Sequence, residues 1–190
     1  MNICVYGASS NLIDKQFLTA GEDLGRCIAK NSHTVIFGGG AEGMMGAVAR
    51  GAEQENGKII GISPSFFNVD GVLFDRCTDF IYTETMRERK QLLEEHSDGF
   101  IVTPGGIGTF DEFFEILALR QLNRHHKPIV LYNINGYFNP IIELLQSAAK
   151  QNFMTPDNLN LFGVCDNPQD AISYIETYKA PQAEKIEDYR

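Results

Sequence analysis

The sequence predicts an α/β fold. A single domain over residues 1–178 carries a parallel sheet of about seven strands with helices on both faces, and a peripheral tail covers residues 179–190. Three observations lead there. Short apolar runs alternate with longer amphipathic ones along the whole chain. Two glycine clusters each fall directly after an apolar run and before a helical one. A length of 190 residues, 43% of them hydrophobic, suits one core of ordinary size.

The apolar runs at 3–6, 34–37, 59–62, 80–82, 99–102, 129–132 and 161–164 each read as a buried strand, being short and uninterrupted by polar positions. Helical periodicity fills 15–31, 44–56, 86–96, 110–123, 138–151 and 168–178. Strand–helix alternation with right-handed crossovers leaves few topologies other than a Rossmann-like one. The exception is SPSFFNVDGVLFDRCT, residues 63–78, which lacks helical period and holds Pro, Gly and aromatics. It is read as a long loop over the carboxyl edge of the sheet. The tail KAPQAEKIEDYR is charged and aperiodic.

Composition narrows the function. A net charge of −9 argues against a nucleic-acid polymer as partner, since such binding neutralises many phosphates with Lys and Arg. One small anion remains allowed, because a few local dipoles and cations can hold it. Cys4, Cys27, Cys77 and Cys165 are scattered without CxxC or matching His spacing, so neither a metal site nor a disulfide framework is expected; Cys4 reads as core. The start, MNICVYGASS, lacks the features of a signal peptide, and no apolar run approaches a membrane span. No membrane partner and a cytoplasmic location are expected.

In a parallel sheet, ligands bind at the carboxyl ends of the strands, which directs attention to Ser9 and its neighbours after the first strand and to two glycine clusters. In FGGGAEGMMGAVA, residues 37–49, Gly38, Gly40 and Gly43 satisfy GxGxxG. No acid stands at the end of the next strand to take ribose hydroxyls, and the cluster follows the second strand, so a dinucleotide cofactor is not expected. These glycines serve packing and, at Gly43, ligand approach.

In TPGGIGTFDEFFE, residues 103–115, Gly105, Gly106 and Gly108 let successive backbone N–H groups turn inward, with Ile107 between them and the Thr109 hydroxyl beside them. The positive end of the following helix completes a phosphate-sized anion pocket. The plain alternative is a glycine turn with Thr109 as N-cap and Glu112 closing a capping box. No Lys-Ser/Thr follows, so this is not a Walker loop.

Arg87, Arg89 and Lys90 crowd the start of the preceding helix, where cations oppose the helix dipole. The cost makes sense if an anion or a carboxylate sits opposite; the alternative is a solvated basic face. Glu112 lies one turn beyond the anion loop. With a 5'-phosphate on the loop, the ribose would reach it. Cleaving an N-glycosidic bond passes through an oxocarbenium-like state, which a carboxylate stabilises or supplies with activated water. Arg89 could hold that carboxylate ionised. Asp111 and Glu115 are less well placed. His125 and His126 read as surface, Phe113 and Phe114 as core, and Phe66, Phe67 and Phe74 as loop anchors or a base pocket.

These motifs, with VYGASS, GISPSF, RERK, HKPIVLYNINGYFNPII and NFM, resemble those of the cytokinin-activating phosphoribohydrolases, the "Lonely Guy" family, over roughly residues 1–165. The RK pair followed by PGGxGTxxE is the specific part. The resemblance implies hydrolysis of N6-modified adenosine 5'-monophosphates, or AMP, to free base and ribose 5-phosphate. It implies that Arg89 and Glu112 are catalytic, that Lys90, Gly105, Gly106, Ile107, Gly108 and Thr109 bind phosphate and ribose, and that the protein is a homodimer. One departure stands out. Where the family often reads TWAQL, this chain has Ala118, Leu119, Arg120, Gln121 and Leu122, in a helix expected near the base.

Lysine decarboxylation, a label many members of that family carry, would need a pyridoxal phosphate lysine and its site, for which nothing in the chain speaks. A carrier of a phosphorylated ligand, like a molybdenum cofactor carrier, could use the same glycine loops without turnover. A nucleotide sensor could do so too. The intact Arg89 and Glu112 favour the enzyme.

Overall fold

The structure, a computed structural model, describes residues 1–180. The tail expected from 179 therefore lies, from residue 181 on, outside the described residues. Seven strands form one parallel sheet: β1 (Asn2–Tyr6), β2 (Thr34–Phe37), β3 (Ile59–Pro64), β4 (Asp79–Thr83), β5 (Gly99–Val102), β6 (Ile129–Tyr132) and β7 (Gly163–Cys165), in the order β4-β3-β2-β1-β5-β6-β7. Six helices accompany them: α1 (Lys15–Lys30), α2 (Gly43–Gln54), α3 (Met86–Glu95), α4 (Ile107–Gln121), α5 (Asn139–Lys150) and α6 (Pro168–Thr177).

The five inner strands are buried on both faces, which is why they read as unbroken apolar runs. On β1, Ile3 and Val5 enter one core with Leu24 and Ile28 of α1, Met44 and Val48 of α2 and Ile172 of α6. Cys4 and Tyr6 point the other way, into a core with Leu93 of α3, Phe113 and Ile116 of α4 and Leu145 of α5. Burial of these side chains, each worth about 1.5–3 kcal/mol when complete, is the main drive for the layered form. Phe113 is fully buried as expected, whereas its neighbour Phe114 is 38% exposed, because it faces away from the sheet one position further round the helix.

β1 pairs with β2 through Ile3 and Val35, and with β5 through Ile3 and Gly99. The chain builds outward on one side of β1 and then returns to build on the other. The crevice beyond the carboxyl ends of β1 and β5 is thus the switch point where such sheets take ligands.

Three boundaries differ from the sequence expectation. β7 is a partly exposed edge strand at 163–165, with Val164 43% exposed; Leu161 belongs to the short 3-10 turn Pro156–Leu161 before it. Helix α4 begins at Ile107, with Gly106 rather than Thr109 as its N-cap, because glycine in that segment joins the first turn. The segment 65–78 lies over the carboxyl edge only in its first part. It replaces the crossover helix between β3 and β4, tying to the first glycine cluster through Ala41 N–H to Val72 O (3.0 Å) and Phe74 N–H to Gly39 O (2.8 Å). Phe74 then packs edge-on to Phe37, and Thr78 rejoins the amino end of β3.

Candidate functional site

A cavity of about 720 Å³ opens at the switch point. Its walls come from the segments after β1, β2 and β5, from the starts of α3 and α4, and from the loop after β3. Of the residues singled out from sequence, Ser9, Arg89, Gly106, Ile107, Gly108, Thr109 and Glu112 line it.

Arg89 and Glu112 meet across α3 and α4. Arg89 Nη1 donates to Glu112 Oε1 at 2.7 Å, and both residues are only 7% exposed. This carboxylate is what offsets a cation in the first turns of α3. The helix start is further settled by Thr85, which accepts from the Glu88 N–H (3.1 Å), and by Glu88, an acid in the first turn. Burial pushes the Glu112 carboxyl above its ordinary range, and the Arg89 charge and hydrogen bond pull it back down. Glu112 also lines the cavity, so this buried carboxyl and its arginine stand at the cavity wall.

The guanidinium reaches this position because Gly38 has no side chain. A Cβ there would overlap Arg89 Nη2. Gly38 is a packing glycine, as the sequence suggests, and what it makes room for is the arginine.

At the start of α4, the first N–H groups have no carbonyl one turn back to bond, and Gly106 supplies no side-chain cap. A Cβ built on Gly106 or on Gly108 would meet nothing within 4 Å. Those two glycines are bare toward the cavity, not toward the protein. Thr109 is the third residue of the helix, so the capping-box alternative, which needs Thr109 as N-cap, does not apply.

Lys90, Gly105 and Gly43 do not line the cavity. Lys90 Nζ sits between Asp111 Oδ2 (3.0 Å) and Glu115 Oε2 (2.9 Å), clamping α3 to α4 and holding Asp111, which does line the cavity. Gly105 lies behind the loop, with Thr109 Oγ1 where its Cβ would be. Gly43, at a φ of +61°, is pressed on the backbone of Ala8 to Ser10, and its N–H donates to Asn11 Oδ1 (2.9 Å). That asparagine also bonds Glu42, so the start of α2 is already occupied by protein.

Of the apolar half of the cavity, sequence reasoning named only Phe67, and of its two companions Phe66 and Phe74 neither lines it. Met45, Val72, Leu73 and Met86 line it with Phe67, opposite the polar α4 start. None of Ala118, Leu119, Arg120, Gln121 or Leu122 lines it. Arg120 is buried and directed elsewhere, to Tyr178 Oη (2.7 Å) and His126 Nδ1 (3.1 Å), where it joins α4 to the end of α6. His125, expected at the surface, is buried as well and bonds the Ile116 carbonyl (2.8 Å), with its pKa lowered by that burial. Among the described residues no helix is long and apolar enough to cross a membrane.

Comparison with known proteins adds the following. The family model described as "Possible lysine decarboxylase" matches residues 45–175. A cytokinin riboside 5'-monophosphate phosphoribohydrolase of Rhodococcoides fascians is 36% identical over 157 residues, covering 82% of this chain and 79% of the relative. One from Arabidopsis thaliana is 30% identical over 177 residues, covering 93% and 78%. Among solved structures, the molybdenum cofactor carrier protein of Chlamydomonas reinhardtii superposes with a TM-score of 0.71 over 92% of this chain and 95% of that one, at 22% identity, which speaks for a shared fold alone.

Proposed function

The chain belongs to the family of these phosphoribohydrolases, the one whose model is described as possible lysine decarboxylase, and from that premise we propose that it hydrolyses the N-glycosidic bond of AMP or N6-modified AMP, releasing free base and ribose 5-phosphate. One observation carries the reading: a buried arginine–carboxylate pair lines the same cavity as a helix start whose glycines are bare toward it.

In this reading the 5'-phosphate rests on the N–H groups of residues 106–109 and on the positive end of α4. Ser9 and Thr109 supply hydroxyls. The ribose extends toward Glu112 and the base toward Met45, Phe67, Val72 and Met86. As the bond from C1' to the base nitrogen breaks, its electron pair leaves with the base and C1' becomes cationic. Glu112 stabilises that cation and accepts a proton from the attacking water, whose oxygen forms the new bond at C1'; that proton then passes to the departing base nitrogen, which gives neutral free base and leaves Glu112 ionised again. Arg89 keeps Glu112 ionised against its own burial and fixes its direction. The protein is proposed to work as a cytoplasmic homodimer.

The test is incubation of the purified protein with AMP and with isopentenyl-AMP, following free base and ribose 5-phosphate by chromatography, beside a Glu112→Gln variant. Base release by the native protein, reduced by about 10²–10⁴-fold in the variant, is the expected outcome. Binding of both nucleotides without cleavage would sink it in favour of a carrier or sensor.

A further inference from the structure

We propose that Tyr137 is a positioning residue for the anion site, acting through the peptide unit that joins Gly105 to Gly106; the inference rests on the reading of that site as a phosphate site. Tyr137 Oη donates to Gly105 O at 2.6 Å. In a trans peptide the carbonyl and the next N–H point in opposite directions, and the described chain has no cis bonds. Fixing the Gly105 carbonyl on the side of Tyr137 therefore fixes the Gly106 N–H on the other side. Gly106 lines the cavity and Gly105 does not. The hydroxyl also draws electron density toward the carbonyl oxygen, which makes that N–H a stronger donor.

Such a device is needed here. Gly105 and Gly106 have no side chains to hold the peptide by packing, and Gly106 has nothing within 4 Å of its absent Cβ. Without an anchor this peptide could turn over and present its carbonyl oxygen to an anion. One further bond steadies the loop from the other side, the Ala8 N–H donating to Pro104 O at 3.1 Å.

Tyr137 is itself held. Its ring packs edge-on to Phe17 and to Phe138, and the turn that carries it is cross-linked by Asn133, whose Nδ2 donates to Asn139 Oδ1 (2.9 Å) and whose Oδ1 accepts from the Phe138 N–H (2.7 Å). The whole turn sits beyond the carboxyl end of β6, next to the loop after β5. Although 38% of the residue is exposed, its one polar atom is spent on the Gly105 carbonyl.

The experiment compares the native protein with Tyr137→Phe, which keeps the ring and removes only the hydroxyl. Calorimetry with ribose 5-phosphate and with adenosine is run beside steady-state kinetics on AMP and a thermal melt. The variant is expected to bind ribose 5-phosphate about tenfold more weakly, with KM for AMP raised alike, from the loss of one oriented donor to a charged group. Adenosine binding and kcat are expected within about twofold of native, a change of under 0.5 kcal/mol in effect. Unchanged ribose 5-phosphate affinity overturns the inference, and so does an equal loss for adenosine, which would mark a general packing defect. Native protein that binds no ribose 5-phosphate overturns it too. Failure of the native protein to cleave AMP would sink the hydrolase reading alone, since the calorimetric comparison needs no turnover.

Discussion

The two glycine clusters look alike in sequence and do opposite things. In the cluster after β2, the missing side chains make room for the protein itself: for Arg89 at Gly38, for Phe80 at Gly39, for Met45 at Gly40 and for the Ala8 backbone at Gly43. In the cluster after β5, Gly106 and Gly108 face open space at the start of a helix. One helix start, that of α2, is closed by Asn11; the other, that of α4, is open to the cavity. A glycine-rich turn before a helix is thus not by itself an anion site. What decides is whether the room left by the missing Cβ is filled by protein.

That contrast can be broken most forcefully at Gly38. Gly38→Ala must displace the Arg89 guanidinium, so activity is expected to fall by about 10²-fold or more, as for loss of a group that orients the acid–base residue, with a stability loss of about 1–3 kcal/mol from overpacking. Kinetics and a denaturant melt check both; native-like turnover would show that the guanidinium does not need this space.

Gly108→Ala sharpens the comparison, because its two effects have opposite signs. The position is helical and open, so alanine is expected to stabilise the fold by about 0.4–1 kcal/mol. The methyl group would stand toward the cavity and raise KM for a phosphorylated substrate. A variant that is both less stable and unchanged in KM would place Gly108 with the packing glycines.

The pH profile offers a smaller effect. Burial raises the Glu112 pKa above its ordinary 4.5, with Arg89 opposing. If the ionised form is the working one, kcat/KM falls as pH drops through that raised value, so the acid limb should have its midpoint above 4.5. Stability has its own acid limb. His125 is held neutral by burial with its pKa below the usual 6.5, so the unfolded chain binds the extra proton first; stability is complete above 6.5 and is lost as pH falls below it. Melts at matching pH, with His125→Gln as control, separate the two limbs.

The smallest change is expected at Lys90. It holds Asp111 and Glu115 at the rim of the site, and Lys90→Met should cost about 1 kcal/mol or less, diminishing further in high salt. A collapse of phosphate-ligand affinity in this variant would instead return Lys90 to the binding site that the family resemblance implied.

Much of this molecule was legible beforehand. The sheet was visible because its inner strands are buried on both faces, and the error at β7 came where burial on an edge is partial. Arg89 and Glu112 could be paired on paper because a cation in the first turns of a helix asks for a carboxylate opposite. What escaped is long-range. Nothing in the run GGG tells that its first member backs onto an arginine 51 positions later, and nothing in NGYF tells that its tyrosine reaches a carbonyl 32 positions earlier. The apolar wall of the cavity escaped for a related reason: Met45, Val72 and Met86 belong to three separate segments that periodicity alone assigns to core or loop.

The central place of β1 has a consequence in time. Of the seven strands of the sheet it comes first in the chain, yet it is flanked on one side by β5, whose Gly99 stands beside Ile3. Until β5 and the start of α4 have been made, the turn after β1 faces water and Arg89 has no Glu112 to meet. A nascent or prematurely terminated chain that stops short of α4 therefore lacks both the Arg89–Glu112 pair and the open helix start, and the proposed centre exists only in chains whose sheet has closed on both sides of β1.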